Sequence, residues 1–346
     1  MYKIEKEILE QPEVLEKILK NEPKNAEKLA DAIKKKDINY ILIAARGSSD
    51  NAALYAKYLF PTTCGLPVML ATPSLFSIYK KPPVIKNALV IGISQSGRSH
   101  DIISVLQNAK KQKNLTAVIT NDIKSPLAHE ADFTLNCHAN KEKSVAATKT
   151  YTAQLTLLAL LASCLAKDKK EKLVHLKKIP FAAEKIISVY KKTRDIAKRY
   201  RYIETCAVIG RGYNYATSFE IALKLKELTY IISEPYSSAD FQHGPMAIVE
   251  EGYPVIVINP AGVLFKELNQ FIDKLKEKKA ELIIISDKRE ILKKANTPLL
   301  VPASVPEWLS PITSVIPGQF LAYYLTLAKG YDPDKPRSLK KVTITK

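Results

Sequence analysis

The 346-residue sequence has only four cysteines, Cys64, Cys137, Cys164 and Cys206, scattered far apart, three of them among apolar neighbours. That spacing excludes a disulfide framework and a zinc cluster. The five histidines show no metal-ligand spacing either, so no structural metal is expected. Long apolar runs are also missing. The longest, "LTLLALLASCLA" at residues 155–166, is too short to span a bilayer. The opening "MYKIEKEILEQPEVLEKILK" has the pattern of an amphipathic helix and not that of a leader peptide. A soluble, cytoplasmic protein without membrane contact is expected. Neither GxxxxGK[ST] nor GxGxxG occurs, which removes the Walker and dinucleotide phosphate loops.

Acidic residues are in deficit: 53 Lys and Arg face 35 Asp and Glu, a formal net charge of +18. The lysines are nevertheless spread over many segments and alternate with glutamates, as in "KNEPKNAEKLADAIKKK" and "DKLKEKKAE". This is the pattern of solvated helix faces and lacks the single arginine-rich, aromatic-laced face of a nucleic-acid binder.

What is present is alternation of strands and helices, the signature of an α/β architecture with parallel sheets. Strands are predicted at residues 39–45, 67–72, 88–93, 115–120 and 132–137, followed by a long helix from Thr148 to about Asp168. The theme repeats at 205–210, 253–259, 280–286 and 297–302. Two five-stranded units of similar length suggest a tandem duplication. In such sheets ligands bind beyond the carboxyl ends of the strands. Four turns there carry Gly or hydroxyl residues: "ARGSSDN", "SQSGRS", "GRGYNYA" and "NPAG".

The turn "SQSGRS" admits two readings. One is an ordinary serine-rich turn with Ser99 as N-cap; the other is an anion cradle, in which Ser94, Ser96 and Ser99 add hydroxyls to the positive end of the following helix. A second hydroxyl-rich turn, with Ser48 and Ser49, strengthens the cradle, and a monophosphate suits it best. In "SFEIALKLKELTY", Glu220, Lys224 and Glu227 share one helical stripe. They form either an exposed ion-pair ladder or, because Phe219, Ala222 and Leu223 flank them, a buried and therefore employed set. His243 in "QHGP" reads as a turn histidine, and Lys340 and Lys341 as either trailing or docked lysines.

Taken together, "SQSGRS", "SVAATKTYTAQ", "ALKLKEL", "QHGPMAIV" and "DPDKPRSLKKVT" resemble, in order, the motifs of sugar isomerase (SIS) domain proteins. The resemblance is to the isomerase half of glucosamine-6-phosphate synthase and its stand-alone relatives. It implies two tandem SIS domains, each a parallel five-stranded sheet flanked by helices in a flavodoxin-like topology, paired as a homodimer with shared active sites. The implied division is an N-terminal helix at 1–24, a phosphate-binding domain at 25–185, a second domain at 195–330 carrying the catalytic residues, and a tail at 331–346 over the site. It further implies a phosphate site of Ser49, Ser94, Gln95, Ser96 and Ser99, and sugar contacts at Val145 and Ala147. The implied proton-shuttling glutamate is Glu227, with Lys224 beside it. His243 is the implied ring-opening histidine, contributed across the dimer, and Lys341 the tail lysine.

Arg98 and Ala147 depart from the synthase pattern, in which glutamate and serine stand at these places. The glutaminase half is not in this sequence, so ammonia from glutamine is not expected. The implied reaction converts an amino-sugar phosphate such as glucosamine 6-phosphate to fructose 6-phosphate and ammonia, and it requires no metal or organic cofactor because the phosphate clamp fixes orientation. Two alternatives are a fructosamine-6-phosphate deglycase and a non-catalytic sugar-phosphate sensor. The joint presence of Glu227, His243 and Lys341 weighs against the sensor.

Overall fold

The strands of this chain are its most β-branched apolar segments, and all of them run parallel to their neighbours. The computed structural model describes residues 1–190, 194–339 and 341. Among these, the strands form two five-stranded sheets, and the chain divides into two compact units. The N-terminal segment departs from the single helix expected at residues 1–24. It folds as α1 (Lys3–Leu9), α2 (Gln11–Asn21) and α3 (Pro23–Lys35). Proline is the cause: lacking an N–H, Pro12 and Pro23 cannot continue an incoming helix but suit the first turn of a new one.

The unit of the first sheet holds residues 13–143, 149–177 and Lys341. After α3 it runs β1 (Tyr40–Ala44), α4 (Ser48–Cys64), β2 (Val68–Leu70), α5 (Pro73–Ser77), β3 (Ala88–Ile93), α6 (His100–Lys111), β4 (Leu115–Thr120), α7 (Pro126–Glu130), β5 (Phe133–Asn136), α8 (Lys149–Leu165) and α9 (Lys169–Leu176). The strand order is β2-β1-β3-β4-β5, with Ala44 level with Gly92 on β1 and β3. Every residue of β3 and β4 is buried, and Leu42, Val90 and Val118 pack with Ile102 and Leu106 of α6 in one core.

The unit of the second sheet holds residues 1–12 and 144–148 and the described part of 178–339. It continues with α10 (Ile179–Tyr190), α11 (Arg194–Lys198), β6 (Thr205–Gly210), α12 (Tyr215–Thr229), β7 (Ile232–Ser237), α13 (Ser238–Gln242), β8 (Pro254–Ile258), α14 (Phe265–Glu277), β9 (Glu281–Ser286), α15 (Arg289–Leu292), β10 (Thr297–Leu300) and α16 (Ser310–Ala328). Its order, β7-β6-β8-β9-β10, repeats that of the first sheet. The strand β7 is absent from the sequence-based expectation. Pro235 inside "ISEPYS" interrupts the strand signature, and the segment pairs all the same because it lies at the sheet edge, where a missing N–H is tolerated. All four cysteines are free, and burial pushes the Cys206 thiol up to about 12.

In each sheet the chain reverses direction across the sheet between its first and third strands. Ligands of such folds sit beyond the carboxyl ends of the strands at this switch point. The turns flanking it are those after β1 and β3 in one unit and after β6 and β8 in the other.

Candidate active site

In the first unit, β3 ends at Ile93 and the backbone turns through Ser94–Ser99 into α6. Ser94 is buried and its hydroxyl accepts the Gly97 N–H at 3.1 Å, which closes the turn on itself. Gly97 has φ of +63°, and a Cβ there would fall 2.0 Å from Ser125 Oγ, so only glycine fits. Gln95 and Ser96 are partly exposed, and Ser96 Oγ receives only a long 3.4 Å bond from the Arg98 N–H. Ser99 occupies the N-cap position, yet its side chain makes no capping bond. The ordinary-cap reading of this serine is therefore not realised, and its hydroxyl remains open to a ligand.

The neighbouring turn after β1 enters helix earlier than the sequence suggests, with Ser48 and Ser49 already in the first turn of α4. Ser49 is buried, and its hydroxyl accepts a 3.0 Å bond from Gln154 Nε2 of α8. Arg46, just before this helix, sends its Nε to Asp101 Oδ2 of α6 at 2.8 Å. The two turns are thus tied to each other across the switch point.

The described tail residue of this unit, Lys341, is docked. Its Nζ donates to Glu142 Oε2 at 2.9 Å. The Glu142 side chain is fully buried and also accepts the Thr150 hydroxyl at 2.6 Å and the Thr150 N–H at 3.2 Å. Glu142 escaped sequence reasoning because its partner lies 199 residues away; a buried acid just ahead of "SVAATKT" was the only signal. Lys340 and the strand-like "VTIT" lie outside the described residues.

In the second unit, α12 is rich in Ala, Leu, Lys and Glu, good helix formers, and ends at Tyr230, whose φ of +60° turns the chain away. The exposed-ladder reading of its charges fails. Glu220 and Lys224 have 0% and 1% side-chain exposure, while Glu227 keeps 23%. Lys224 Nζ lies 2.5 Å from Glu227 Oε2 and 3.5 Å from Glu220 Oε1. A buried ammonium is tolerated only when paired, and this one is held between two carboxylates, of which Glu227 alone reaches outward. Glu220 thus joins the set as the buried counter-charge.

His243 caps the C-terminus of α13, its N–H bonded to the Asp240 carbonyl at 3.0 Å. It is exposed, and its ring makes no hydrogen bond or ion pair among the described residues. Val145 and Ala147 are half-buried in the loop ahead of α8, where the Ser144 N–H donates to both carboxylate oxygens of Glu7 at 3.2 Å. The root of the tail is fixed to the end of α12. Arg337 lies 4.3 Å over the Tyr230 ring, and its N–H donates to the Tyr230 hydroxyl at 2.9 Å.

Known proteins share this fold. The SIS domain profile matches residues 35–164 and 203–329. The isomerizing glutamine-fructose-6-phosphate aminotransferase of Thermococcus kodakarensis is 37% identical over 348 residues, covering 98% of this chain. The match takes in 57% of that relative, so the chain spans little more than half the length of the curated relatives it matches. Among solved structures, the C-terminal domain of glucosamine-fructose-6-phosphate aminotransferase from Francisella tularensis superposes with a TM-score of 0.87 at 27% identity, covering 97% of this chain and 98% of that one. Glucosamine-6-phosphate deaminase from Thermotoga maritima gives 0.78 at 24% identity over 99% and 100%, a likeness of fold.

Proposed function

The chain belongs to the SIS domain family, and from that premise we propose that it is a sugar-phosphate isomerase and deaminase, converting glucosamine 6-phosphate and water to fructose 6-phosphate and ammonia. The observation that carries this reading is the α12 trio, in which a buried Lys224 backs the one partly exposed carboxylate, Glu227. The turn of Ser94, Gln95, Ser96 and Ser99, with Ser49 beside it, is the phosphate anchor. Val145 and Ala147 face the sugar.

The chemistry follows from these groups. His243 passes the proton that opens the sugar ring, a task suited to an imidazole. Glu227 takes the proton from C2 of the open-chain aldehyde and returns it to C1. As O1 gains a proton and the C2 amine loses one, the C1 aldehyde becomes an alcohol and the C2 amine an imine, which water hydrolyses to the ketone with loss of ammonia. Negative charge that grows on the sugar oxygens during proton transfer is met by cations, Lys224 behind Glu227 and Lys341 from the tail. Lys341 rests on Glu142 until substrate draws it away. The phosphate anchor fixes the orientation of the substrate.

The free, exposed His243 is the support for a homodimer in which each chain completes its partner's site. Mixing inactive Glu227→Gln and His243→Ala chains is expected to restore part of the activity; a mixture as inactive as its components would refute the sharing. The primary test is incubation with glucosamine 6-phosphate while ammonia and fructose 6-phosphate are assayed. Equal release of both supports the reading. Release of glucose 6-phosphate from a fructosamine 6-phosphate, with no ammonia from the amino sugar, would replace it with a deglycase. Binding of either sugar phosphate without turnover would leave a sensor.

A further inference from the structure

We propose that Arg46 is a direct contact of the substrate phosphate, held for that purpose by the buried carboxylate of Asp101. The inference rests on the phosphate reading of the Ser94–Ser99 turn and adds to it a cation that hydroxyls and backbone amides do not provide. Arg46 follows β1 and Asp101 lies in the first turn of α6, so their bond spans the switch point between the two turns assigned to the phosphate. Asp101 is 1% exposed, and its Oδ1 accepts the Ile102 N–H at 2.9 Å. Its position is fixed, and it fixes the guanidinium in turn. The bond uses Arg46 Nε, while the side chain stays 51% exposed and its Nη atoms make no hydrogen bond among the described residues. A guanidinium anchored through Nε presents its two-nitrogen edge, the geometry that grips phosphate oxygens. Asp50, in the first turn of α4, also feels Arg46: burial raises its carboxyl above the ordinary range and the arginine opposes that rise.

The second unit contains its own control. Arg211 follows β6 as Arg46 follows β1, and the next residues, Gly47 and Gly212, share a positive φ, +57° and +59°. Arg211 also pairs with the first turn of the helix after the third strand of its sheet, at Glu267 of α14, as Arg46 pairs with Asp101 of α6, so the pairing alone is a recurring device of the fold. The atoms differ. Arg211 spends the terminal Nη1 on its carboxylate and is 31% exposed, whereas Arg46 keeps both terminal nitrogens available.

The test is calorimetric titration of the intact protein with fructose 6-phosphate and with inorganic phosphate. Arg46→Met is expected to weaken both probes about tenfold to a hundredfold, the range of a lost hydrogen bond to a charged group. The two losses should be similar because the contact is to the group the probes share. Arg46→Lys should recover part of the affinity, and Arg211→Met none of the loss. Because removing Arg46 leaves Asp101 buried without its partner, the double variant Arg46→Met/Asp101→Asn repeats the measurement in a neutral setting. Affinity within twofold of the parent in both Arg46 variants, while Ser96→Ala binds weakly, would overturn the inference and leave the phosphate turn standing. Unchanged affinity in Ser96→Ala as well would overturn the phosphate reading itself.

Discussion

The turns after β3 and after β8 occupy the same place in two sheets of identical strand order, yet one is open and the other is filled. Counted from the strand ends, Ser94, Ser96, Gly97 and Ser99 correspond to Asn259, Ala261, Gly262 and Leu264. The glycine is kept and the hydroxyls are gone. In their place the second unit supplies its own carboxylates: the Ala261 N–H donates to Asp287 Oδ1 at 2.7 Å and the Val263 N–H to Glu307 Oε2 at 2.8 Å. In the first turn the acceptors are hydroxyls, Ser96 for the Arg98 N–H at the place of Val263 and Ser94 for the Gly97 N–H one residue beyond the place of Ala261. Both turns stand before a helix of at least three turns, so both favour negative charge. One sheet satisfies that preference with carboxylates of its own, and the other places none on its turn amides among the described residues.

The helices after β1 and β6 divide in the opposite sense. Counted from Arg46 and Arg211, the places of Glu220, Lys224 and Glu227 on α12 are taken on α4 by Tyr55, Leu59 and Thr62. Among the described residues the charged trio is thus confined to the second unit, to which the proposed function gives the proton transfer, while it gives the first unit the phosphate anchor. The sharpest way to break this division is Glu227→Gln, since an amide cannot accept the C2 proton. Turnover is expected to fall by roughly 100- to 10,000-fold while fructose 6-phosphate still binds. Solvent deuterium entering C1 or C2 at the parent rate would move the base elsewhere.

Ser96→Ala should do the converse in the first unit. It removes one hydrogen bond to a dianion, about 1.5–3 kcal/mol, so KM for the sugar phosphate rises while kcat and the melting temperature hold. A fall in kcat with KM unchanged would deny the clean separation of anchoring from chemistry.

Much of this was legible because parallel sheets write themselves as short apolar runs ending in small residues. The eight full strands expected from 88–93, 205–210 and the rest all form, with ends moved by a residue or two, and so does the shorter β2 within 67–72. What was not legible lay in contacts distant along the chain. Glu142 shows its importance only when Lys341 is seen on it, and Glu307 only when the Val263 amide is. Arg46 stood in plain view in "ARGSSDN", but neither its choice of Nε nor its partner can be read from spacing. The N-terminal segment misled through its amphipathic periodicity, which continues across Pro12 and Pro23 although the backbone hydrogen bonds cannot.

The smallest expected effect probes the filled turn. Glu307→Ala removes the acceptor of the Val263 N–H, but Val263 is 91% exposed, so water replaces the carboxylate and the loss stays near a net hydrogen bond, about 0.5–1.5 kcal/mol. A favourable charge at the α14 N-terminus goes with it, about 0.3–1 kcal/mol at low salt. The variant should therefore melt slightly below the parent, with the deficit shrinking as salt screens the helix end. Emptying the turn should not turn it into a phosphate site. Ala261 and Leu264 offer no hydroxyl, and the Asp287 carboxylate still sits on the Ala261 amide and repels a second anion. Titrating Glu307→Ala with inorganic phosphate should accordingly show the same stoichiometry as the parent. If an additional equivalent binds, the two turns differ only by a removable plug, and the loss of the serines is not what separates them.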